Sequence, residues 1–459
     1  MALKRLLVLN VVGLSPRMLG ENTPHIRGLA KQGYRASLQT VFPAVTCSVQ
    51  ASLLTGLQPE KHGIVANGWY FRDLAEVHFW KQSNRLIQGE KIWERLKRKH
   101  ADFTSAQLFW WYNMFSTNDW TVTPRPAHLA GDRMISLVYT RPAELAPKLE
   151  TALGRFPLFN FWGPMAGIES SQWIERCTLQ VLAEHKPTLT LVYLPHLDYN
   201  LQRLGPDDPA LAGDIRAVDA IVGRLAEAAQ AAGAEVVVLS EYGMTEVNGA
   251  VDINRVLREN GFLQVQKQHT WELIDFGECR AFAVADHQVA HVYVRDAADL
   301  KPVKRLLEKT PGIDRVLDED GRKELHIGHE RAGELIAISA PDKWFTYYYW
   351  LDDQCAPPFA RTVDIHQKPG YDPAELFRNP QKSKAGLITK VMMKKAGLSV
   401  QIDAIALNGS QVKGSHGRLT DSSLDGPVFI SSTKSGLPPT SSVNATEVPD
   451  RLAAIIEGK

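Results

Sequence analysis

VFPAVTCSVQASLLTGLQPEKHGIVAN, residues 41–67, is the most informative stretch of this 459-residue chain. Pro43 interrupts a β-like run, and Thr46 opens a short segment that has the pattern of one helix closed by Gly56. A helix N-terminus presents free backbone N–H groups and the positive end of the helix dipole, which together stabilise a phosphate or sulfate oxyanion. A threonine at that position either caps the helix or supplies a hydroxyl that attacks a bound phosphorus atom.

The same stretch resembles the nucleophile region of the nucleotide pyrophosphatase/phosphodiesterase branch of the alkaline phosphatase superfamily. The pattern of that family is a threonine, a helix ending in Thr-Gly, then Pro-x-x-His-Gly-Ile and an asparagine. This chain has these features in the same order, at Thr46, Thr55-Gly56, Pro59, His62-Gly63-Ile64 and Asn67. The resemblance implies that Thr46 is the nucleophile and that Asn67 holds a phosphoryl oxygen. It also allows His62 to be a turn residue without a chemical role.

Length and composition are those of an ordinary globular protein. The chain is long enough for one large α/β domain plus an inserted domain. Its formal net charge of +1 gives no reason to expect a nucleic acid polymer or a membrane as a partner. Lys4-Arg5 and the apolar run after them imitate a signal peptide, but the run is short and contains Asn10, so we interpret it as a buried strand. We therefore expect a cytoplasmic protein, with its oligomeric state left open.

Apolar runs alternate with amphipathic segments along much of the chain. Residues 6–12, 188–194 and 235–240 have the pattern of buried strands, and helices are predicted near residues 23–32 and 214–232. This alternation predicts an α/β fold with a doubly wound, mostly parallel sheet, which the resemblance makes alkaline-phosphatase-like. In such a sheet the ligand lies beyond the carboxyl ends of the strands, and Asn10, Asp198 and Glu241 all follow or end a predicted strand.

Residues 265–359 have a different pattern. Short alternating runs and one aromatic run favour antiparallel or mixed strands, and they are AFAVAD (281–286), HVYVRD (291–296), ELHIGH (324–329), ELIAISA (334–340) and WFTYYYW (344–350). We expect an inserted, cap-like α+β subdomain over residues 265–359. The core is then formed by residues 1–264 and 360–459.

Two zinc ions are held by members of the family that this chain resembles, and several of the corresponding positions differ here. One ion takes an aspartate at the end of the first strand, the threonine, and the Asp-His pair of a Ser-Asp-His-Gly turn. The other takes an aspartate, a histidine four residues later, and a histidine near the C-terminus. The chain has matching residues at Asp198 and His416, and substitutes at Asn10, Gln202, Glu241 and Tyr242.

These substitutions remove one anion and two imidazoles from the implied ligand set. Zinc favours nitrogen and sulfur ligands, whereas Mg, Mn and Ca favour oxygen. The remaining set is mostly oxygen, and its members are Asn10, Asp198, Gln202, Glu241 and His416. We expect one or two divalent metal ions, with Zn, Mn and Mg not distinguishable, and we do not expect a standard di-zinc centre. A single hard metal, a rearranged site and an empty site all remain open.

Other residues could restore the lost ligands or bind the substrate. Asp364 and His366 alternate within RTVDIHQKPG (361–370), so a short strand would point both side chains to one side, and His196 is related to Asp198 in the same way. The alternative is that these residues cap turns or form structural hydrogen bonds. Tyr242 either contacts the substrate or fills the space of a metal ion. Lys413 either binds an anionic group or is solvent-exposed.

Together these patterns predict a metal-assisted phosphoester or phosphodiester hydrolase, or a phosphoryl transferase, acting on a small phosphorylated substrate. Thr46 would attack phosphorus in line and form a covalent intermediate that water then cleaves. The competing hypothesis is a non-catalytic, phosphate-ligand-binding pseudoenzyme on the same scaffold. That hypothesis accounts for Asn10, Gln202 and Glu241-Tyr242 together.

Overall fold

A computed structural model describes residues 3–129, 133–395, 398 and 400–459 of the chain. Its strands are β1 (Arg5–Val11), β2 (Tyr34–Gln39), β3 (Gly68–Phe71), β4 (Glu76–Phe79), β5 (Ser105–Leu108), β6 (Trp120–Pro124), β7 (Ala127–Leu129), β8 (Arg133–Ile135), β9 (Val138–Arg141), β10 (Leu189–Leu194), β11 (Ala234–Leu239), β12 (Thr245–Glu246), β13 (Gly249–Val251), β14 (Val265–Gln268), β15 (Trp271–Ile274), β16 (Ala281–Asp286), β17 (Val289–Val294), β18 (Ile313–Leu317), β19 (Leu335–Ser339), β20 (Lys343–Phe345), β21 (Gly414–Ser415), β22 (Val428–Ser431) and β23 (Ser442–Asn444). Its α-helices are α1 (Pro24–Gln32), α2 (Thr46–Thr55), α3 (Pro59–His62), α4 (Ile92–Lys99), α5 (Leu145–Leu153), α6 (Ile168–His185), α7 (His196–Leu204), α8 (Leu211–Ala231), α9 (Ile253–Glu259), α10 (Ala297–Glu308), α11 (Glu319–Glu324), α12 (Lys384–Lys395) and α13 (Val448–Glu457). Within the described ranges, no helix is long and apolar enough to cross a lipid bilayer.

The core is one large sheet whose strand order, across the described residues, is β23-β2-β22-β11-β1-β10-β5-β6-β9. The run from β11 to β6 is parallel throughout, whereas β22 and β9 pair antiparallel with their neighbours in that run. β1 is buried along nearly its whole length because helices cover both faces of a parallel sheet. The prediction of a mostly parallel α/β fold is therefore confirmed.

Hydrophobic periodicity located the central elements well. The strands β1, β10 and β11 and the helices α1 and α8 begin and end within three residues of their predicted bounds. Each of these elements contributes to the main hydrophobic core, so its apolar pattern directly reflects its burial.

A second, antiparallel sheet has the order β16-β17-β19-β18 and packs with α10. The ELHIGH segment is not a strand as expected, because α11 ends within it and a turn follows. The aromatic run 344–350 is strand only at its start, yet its rings are buried and fill the second core. That core also contains Val251, Leu257 and Tyr371, which lie outside 265–359. The subdomain boundaries therefore remain a prediction.

The parallel register brings the polar ends of three strands together. Asn10, near the end of β1, is paired with Tyr193 of β10 on one side and with Leu239 of β11 on the other. Helix α2 starts beside this edge, at Thr46. It ends at Thr55 and is capped by Gly56, whose φ of 72° is in the left-handed region that glycine adopts freely. The residues after β10 and β11 therefore face the N-terminus of α2.

His62 fixes the turn that follows α2. Its Nδ1 accepts a hydrogen bond of 3.1 Å from the Ile64 backbone N–H, so its Nε2–H donates to Ser52 Oγ at 2.9 Å. The imidazole is fully buried and neutral, because burial lowers the pKa of His62 to about 3. The side chain thus joins the turn to the middle of α2.

We expect His62→Ala to lower the free energy of unfolding at pH 7.5 by about 1–3 kcal/mol, because it leaves buried partners unpaired. Urea denaturation measures this difference. His326→Ala is the matched control, since the His326 side chain is 55% exposed and should change stability by less than about 0.5 kcal/mol. Equal effects of the two substitutions would contradict the structural role of His62.

The stability difference between the wild type and His62→Ala should also depend on pH. An unfolded histidine has a pKa near about 6.5, whereas folded His62 stays neutral down to about pH 3. Below pH 6.5 the unfolded wild type therefore binds a proton that the folded wild type does not. Acidification from pH 7.5 to pH 5 should reduce the advantage of the wild type by about 2 kcal/mol. A difference that stays constant over this range would show that His62 is not held neutral.

Candidate functional site

Thr46 starts a hydrogen-bonded chain that reaches a buried carboxyl group. Its Oγ1 lies 3.3 Å from the Tyr242 hydroxyl, and that hydroxyl donates to Asp198 Oδ1 at 3.1 Å. All three residues are buried, and Thr46 itself is only 3% exposed. Since Tyr242 donates its proton to Asp198, the free lone pairs of its oxygen face the Thr46 hydroxyl. The structure thus brings together three residues that come from α2, α7 and the segment after β11.

Asn67 is held against the N-terminus of α2. Its Oδ1 accepts from the Cys47 backbone N–H at 2.9 Å, while its backbone N–H and its Nδ2 donate to the two oxygens of Asp286 at 2.8 and 3.0 Å. Burial raises the pKa of Asp286 to about 7. Sequence reasoning missed Asp286 because it lies in AFAVAD, whose alternation indicated only a strand. One hydrogen of Asn67 Nδ2 is not accounted for by these bonds.

Glu241 is surrounded by amide groups. The side-chain NH₂ groups of Asn10 and Gln50 both donate to Glu241 Oε1. Gln50 cannot turn round, because its Oε1 accepts from the Trp111 backbone N–H at 2.7 Å. Burial raises the pKa of Glu241 to about 8. The sequence analysis did not select Gln50, although a glutamine inside the apolar helix α2 was a visible signal.

Asp198 accepts hydrogen bonds at both of its oxygens. Gln202 Nε2 donates to Asp198 Oδ2 at 2.6 Å, and Gln202 Oε1 in turn accepts from the Tyr371 hydroxyl at 2.9 Å. Burial raises the pKa of Asp198 to about 7, although the bonds from Gln202 and Tyr242 oppose that shift. Gln202 therefore acts as a hydrogen-bond bridge between Asp198 and Tyr371.

Four aromatic rings form a continuous stack beside this chain, and we call them the ring column: Tyr242, His416, His287 and Tyr371. Successive ring centroids are 3.5, 3.7 and 3.7 Å apart, and the rings of the first pair are almost parallel, with an interplanar angle of 8°. His416 Nδ1 donates to the Ala44 carbonyl at 2.7 Å. Burial lowers the pKa of His416 to about 3 and lowers the pKa of His287 as well.

The other predicted site residues lie elsewhere. His196 does not share a strand face with Asp198, because α7 begins at His196, and its Nε2 contacts Asp214 at 2.9 Å. The expected strand carrying Asp364 and His366 is wrong as well. The segment forms turns, His366 is exposed, and Asp364 is bonded through its backbone, whose N–H donates to Glu375 at 2.8 Å and whose carbonyl accepts from Gln367 at 3.3 Å.

The segment from residue 364 to residue 375 serves a different purpose. Lys368 is buried and pairs with Asp372 at 2.7 Å and with Glu375 at 2.6 Å, which leaves Tyr371 directed toward Gln202. Lys413 is exposed, and its ammonium group donates to the Ser410 carbonyl at 3.1 Å. Among the hydrogen bonds of the described residues, neither lysine is bonded to Thr46, Tyr242 or Asp198.

The donor set does not fit the pair of zinc ions that the resemblance implies. Among the described residues, no three or more His, Cys, Asp or Glu side chains are grouped to hold a metal ion. Three buried polar atoms near the site have no hydrogen-bond partner within the part of the chain that the structure describes. They are Asn10 Oδ1, Glu241 Oε2 and His287 Nδ1. They belong to one amide, one carboxyl group of raised pKa and one imidazole, which are too few imidazole and carboxylate donors for two zinc ions.

A family model described as type I phosphodiesterase/nucleotide pyrophosphatase matches residues 6–372. An uncharacterized pyrophosphatase/phosphodiesterase of Schizosaccharomyces pombe is 25% identical over 233 residues, which are 48% of this chain and 41% of that protein. The matched part therefore spans about two fifths of the length of this curated relative.

Two solved structures share the fold. Murine ectonucleotide pyrophosphatase/phosphodiesterase 5, solved as an inactive variant with AMP, has a TM-score of 0.61 at 15% identity, covering 99% of this chain and 96% of its own. Phosphonoacetate hydrolase from Sinorhizobium meliloti, in complex with phosphonoformate, has a TM-score of 0.63 at 15% identity with the same coverage.

The family match extends over most of the chain, and it confirms both the resemblance and the predicted class of enzyme. Members of the matched family hydrolyse phosphoric ester bonds, generally with divalent metal ions. The large, mostly parallel sheet agrees with that assignment. Because the family model matches residues 6–372, this chain belongs to the type I phosphodiesterase/nucleotide pyrophosphatase family.

Proposed function

We propose that this chain hydrolyses a phosphoric ester of a small molecule with Thr46 as its nucleophile. The observation that carries the proposal is the hydrogen-bonded chain from Thr46 through Tyr242 to Asp198. It supplies a route for the hydroxyl proton, as a general base does for other hydroxyl nucleophiles.

The first step forms one bond and breaks another at phosphorus. Thr46 Oγ1 bonds to phosphorus, its proton passes to the Tyr242 oxygen, and the Tyr242 proton passes to the Asp198 carboxylate. The bond to the leaving oxygen breaks, and that oxygen takes a proton from water. In the second step a water oxygen attacks the phosphorus of the phosphoryl-threonine, and the water loses one proton to the hydroxide that the first step left. The bond from phosphorus to Thr46 breaks, and the Asp198 proton returns through Tyr242 to the Thr46 oxygen.

Two features support the charge that develops on the phosphoryl oxygens. The N-terminus of α2 directs its dipole at the group that Thr46 attacks. The remaining Nδ2 hydrogen of Asn67 can donate to one oxygen, since Asp286 fixes the orientation of that amide. Because Thr46 is only 3% exposed, a neighbouring side chain must move before an ester can reach it.

The substrate class rests on the related structures. The murine relative was solved with AMP as an inactive variant in which a threonine is replaced by alanine, and the Sinorhizobium hydrolase was solved with phosphonoacetate. Both ligands are small and carry a phosphoryl or phosphonyl group. The prediction of one or two divalent metal ions stays a prediction, and neither step of the proposed reaction uses a metal ion.

The non-catalytic alternative is favoured by a specific observation. Thr46, Tyr242 and Asp198 are all buried, and both oxygens of Asp198 already accept hydrogen bonds. A protein that binds a phosphate ligand without attacking it does not need Asp198 to accept a proton, so both of these hydrogen bonds would stay in place.

We expect Thr46→Ala to reduce turnover of bis-p-nitrophenyl phosphate by about 10³-fold or more, because it removes the attacking oxygen. Release of p-nitrophenolate by the purified full chain measures the rate. Thr55→Ala is the matched control, since Thr55 lies at the other end of α2 and, within the part of the chain that the structure describes, its hydroxyl bonds only to the Ala51 carbonyl and the Leu57 N–H. Equal turnover by Thr46→Ala and the wild type would exclude Thr46. A wild type that binds AMP without any turnover would favour the non-catalytic alternative.

We expect Tyr242→Phe to reduce kcat by about 10²-fold. The substitution removes the hydroxyl between Thr46 and Asp198 but retains the ring that stacks on His416. Steady-state kinetics should show the loss in kcat, while thermal unfolding should change little. An unchanged kcat would show that the proton of Thr46 does not leave through Tyr242.

A further inference from the structure

The ring column and its hydrogen bonds form a closed circuit. The hydroxyl of Tyr242, at one end of the column, donates to Asp198, and the hydroxyl of Tyr371, at the other end, donates to Gln202. Gln202 in turn donates to Asp198, so the two ends of the column are joined. We infer that this circuit replaces metal ligation in this chain, and that the protein folds and holds its site without a bound metal ion.

The spacing within the column shows that direct contact between the rings is enough to position His416. Centroid separations of 3.5 to 3.7 Å are van der Waals contact, so no atom fits between successive rings. The Tyr242 ring covers one face of His416 and the His287 ring covers the other. All four rings are buried, so the stack alone holds the imidazole of His416, the remaining histidine of the implied ligand set, in one orientation.

The orientation of the amide groups supports the inference. An amide NH₂ that donates to a carboxyl oxygen occupies the position where a cation would bind that oxygen. For Glu241 this group is the NH₂ of Gln50, which the Trp111 backbone N–H prevents from turning, because two donors would then face each other. For Asp198 it is the NH₂ of Gln202, oriented by the Tyr371 hydroxyl. Neutral N–H dipoles thus stand at both carboxyl groups.

The backbone at His287 fixes the position of its ring within the column. His287 has a φ of 58°, in the left-handed region that residues with a side chain rarely adopt. Its carbonyl accepts from the Phe345 N–H at 2.8 Å, and the N–H of Gln288 donates to the His416 carbonyl at 2.9 Å. These bonds hold the turn between β16 and β17 so that the imidazole stays between His416 and Tyr371.

Metal content and thermal stability test this inference without using turnover, so their outcome is separate from that of the proposed function. We expect the purified full chain to contain only substoichiometric Zn, Mn and Mg by inductively coupled plasma mass spectrometry. EDTA, ZnCl₂, MnCl₂ and MgCl₂ should each leave its Tm unchanged. One metal ion per chain, a Tm lowered by EDTA, or a Tm raised by about 5 °C with a metal would overturn the inference.

A combined variant supplies the positive control. Asn10→Asp, Gln202→His, Glu241→Asp and Tyr242→His together restore the implied ligand set and remove the Tyr242 hydroxyl and the Gln202 amide from the circuit. We expect this variant to take up zinc and to gain about 5 °C or more in Tm with ZnCl₂. A folded variant that takes up no zinc would contradict the role assigned to these four residues. If it does not fold, the wild-type measurements alone decide.

The substitution His287→Phe distinguishes a stacking role of His287 from metal ligation by it. Phenylalanine can stack between His416 and Tyr371 but cannot bind a metal ion. We expect the variant to keep the wild-type Tm within about 3 °C and the same substoichiometric metal content. A fall in the metal content of the protein on this substitution would identify His287 as a ligand and overturn the inference.

Discussion

The stacked contact of Tyr242 on His416, continued by His287 and Tyr371, is the interaction on which the geometry of the site depends. These rings come from four distant parts of the chain, which are the segment after β11, the turn after β16, an irregular segment near residue 371, and the segment after β21. Since the column is buried and its ends are tied through Asp198 and Gln202, none of the four segments can shift alone. The column therefore positions the Tyr242 hydroxyl against Thr46.

Charge is handled differently here from what the family pattern implies. Two carboxyl groups, those of Asp198 and Glu241, are buried close to Thr46, and burial raises the pKa of each. A dication would offset that cost by direct ligation. Side-chain amides offset part of it instead, because N–H groups of Asn10, Gln50 and Gln202 donate to the carboxyl oxygens. The site therefore depends on the direction of hydrogen bonds rather than on the charge of a cation.

The sequence supported some parts of the site better than others. Thr46 and Asn67 lie in one compact motif, and Asn10, Asp198 and Glu241 end or follow strands of a parallel sheet, so their convergence could be expected from topology. His196, Asp364 and His366 were placed by a strand alternation that does not occur, since a helix and a turn stand there. Asp286, His287 and Tyr371 could not be identified from the sequence, because their place in the site depends on contacts with distant segments. Gln50 was visible as a glutamine inside an apolar helix.

The sequence by itself determined the three central strands β1, β10 and β11 and the helices α1 and α8 beside them, since burial imposes a local periodicity on each of these elements. It also determined the family, through a motif of closely spaced residues around Thr46. Only the tertiary structure decided what surrounds that threonine, because stacking and amide orientation arise between segments far apart in the chain. Local pattern records which face of an element is buried, but not which distant side chain is buried against it.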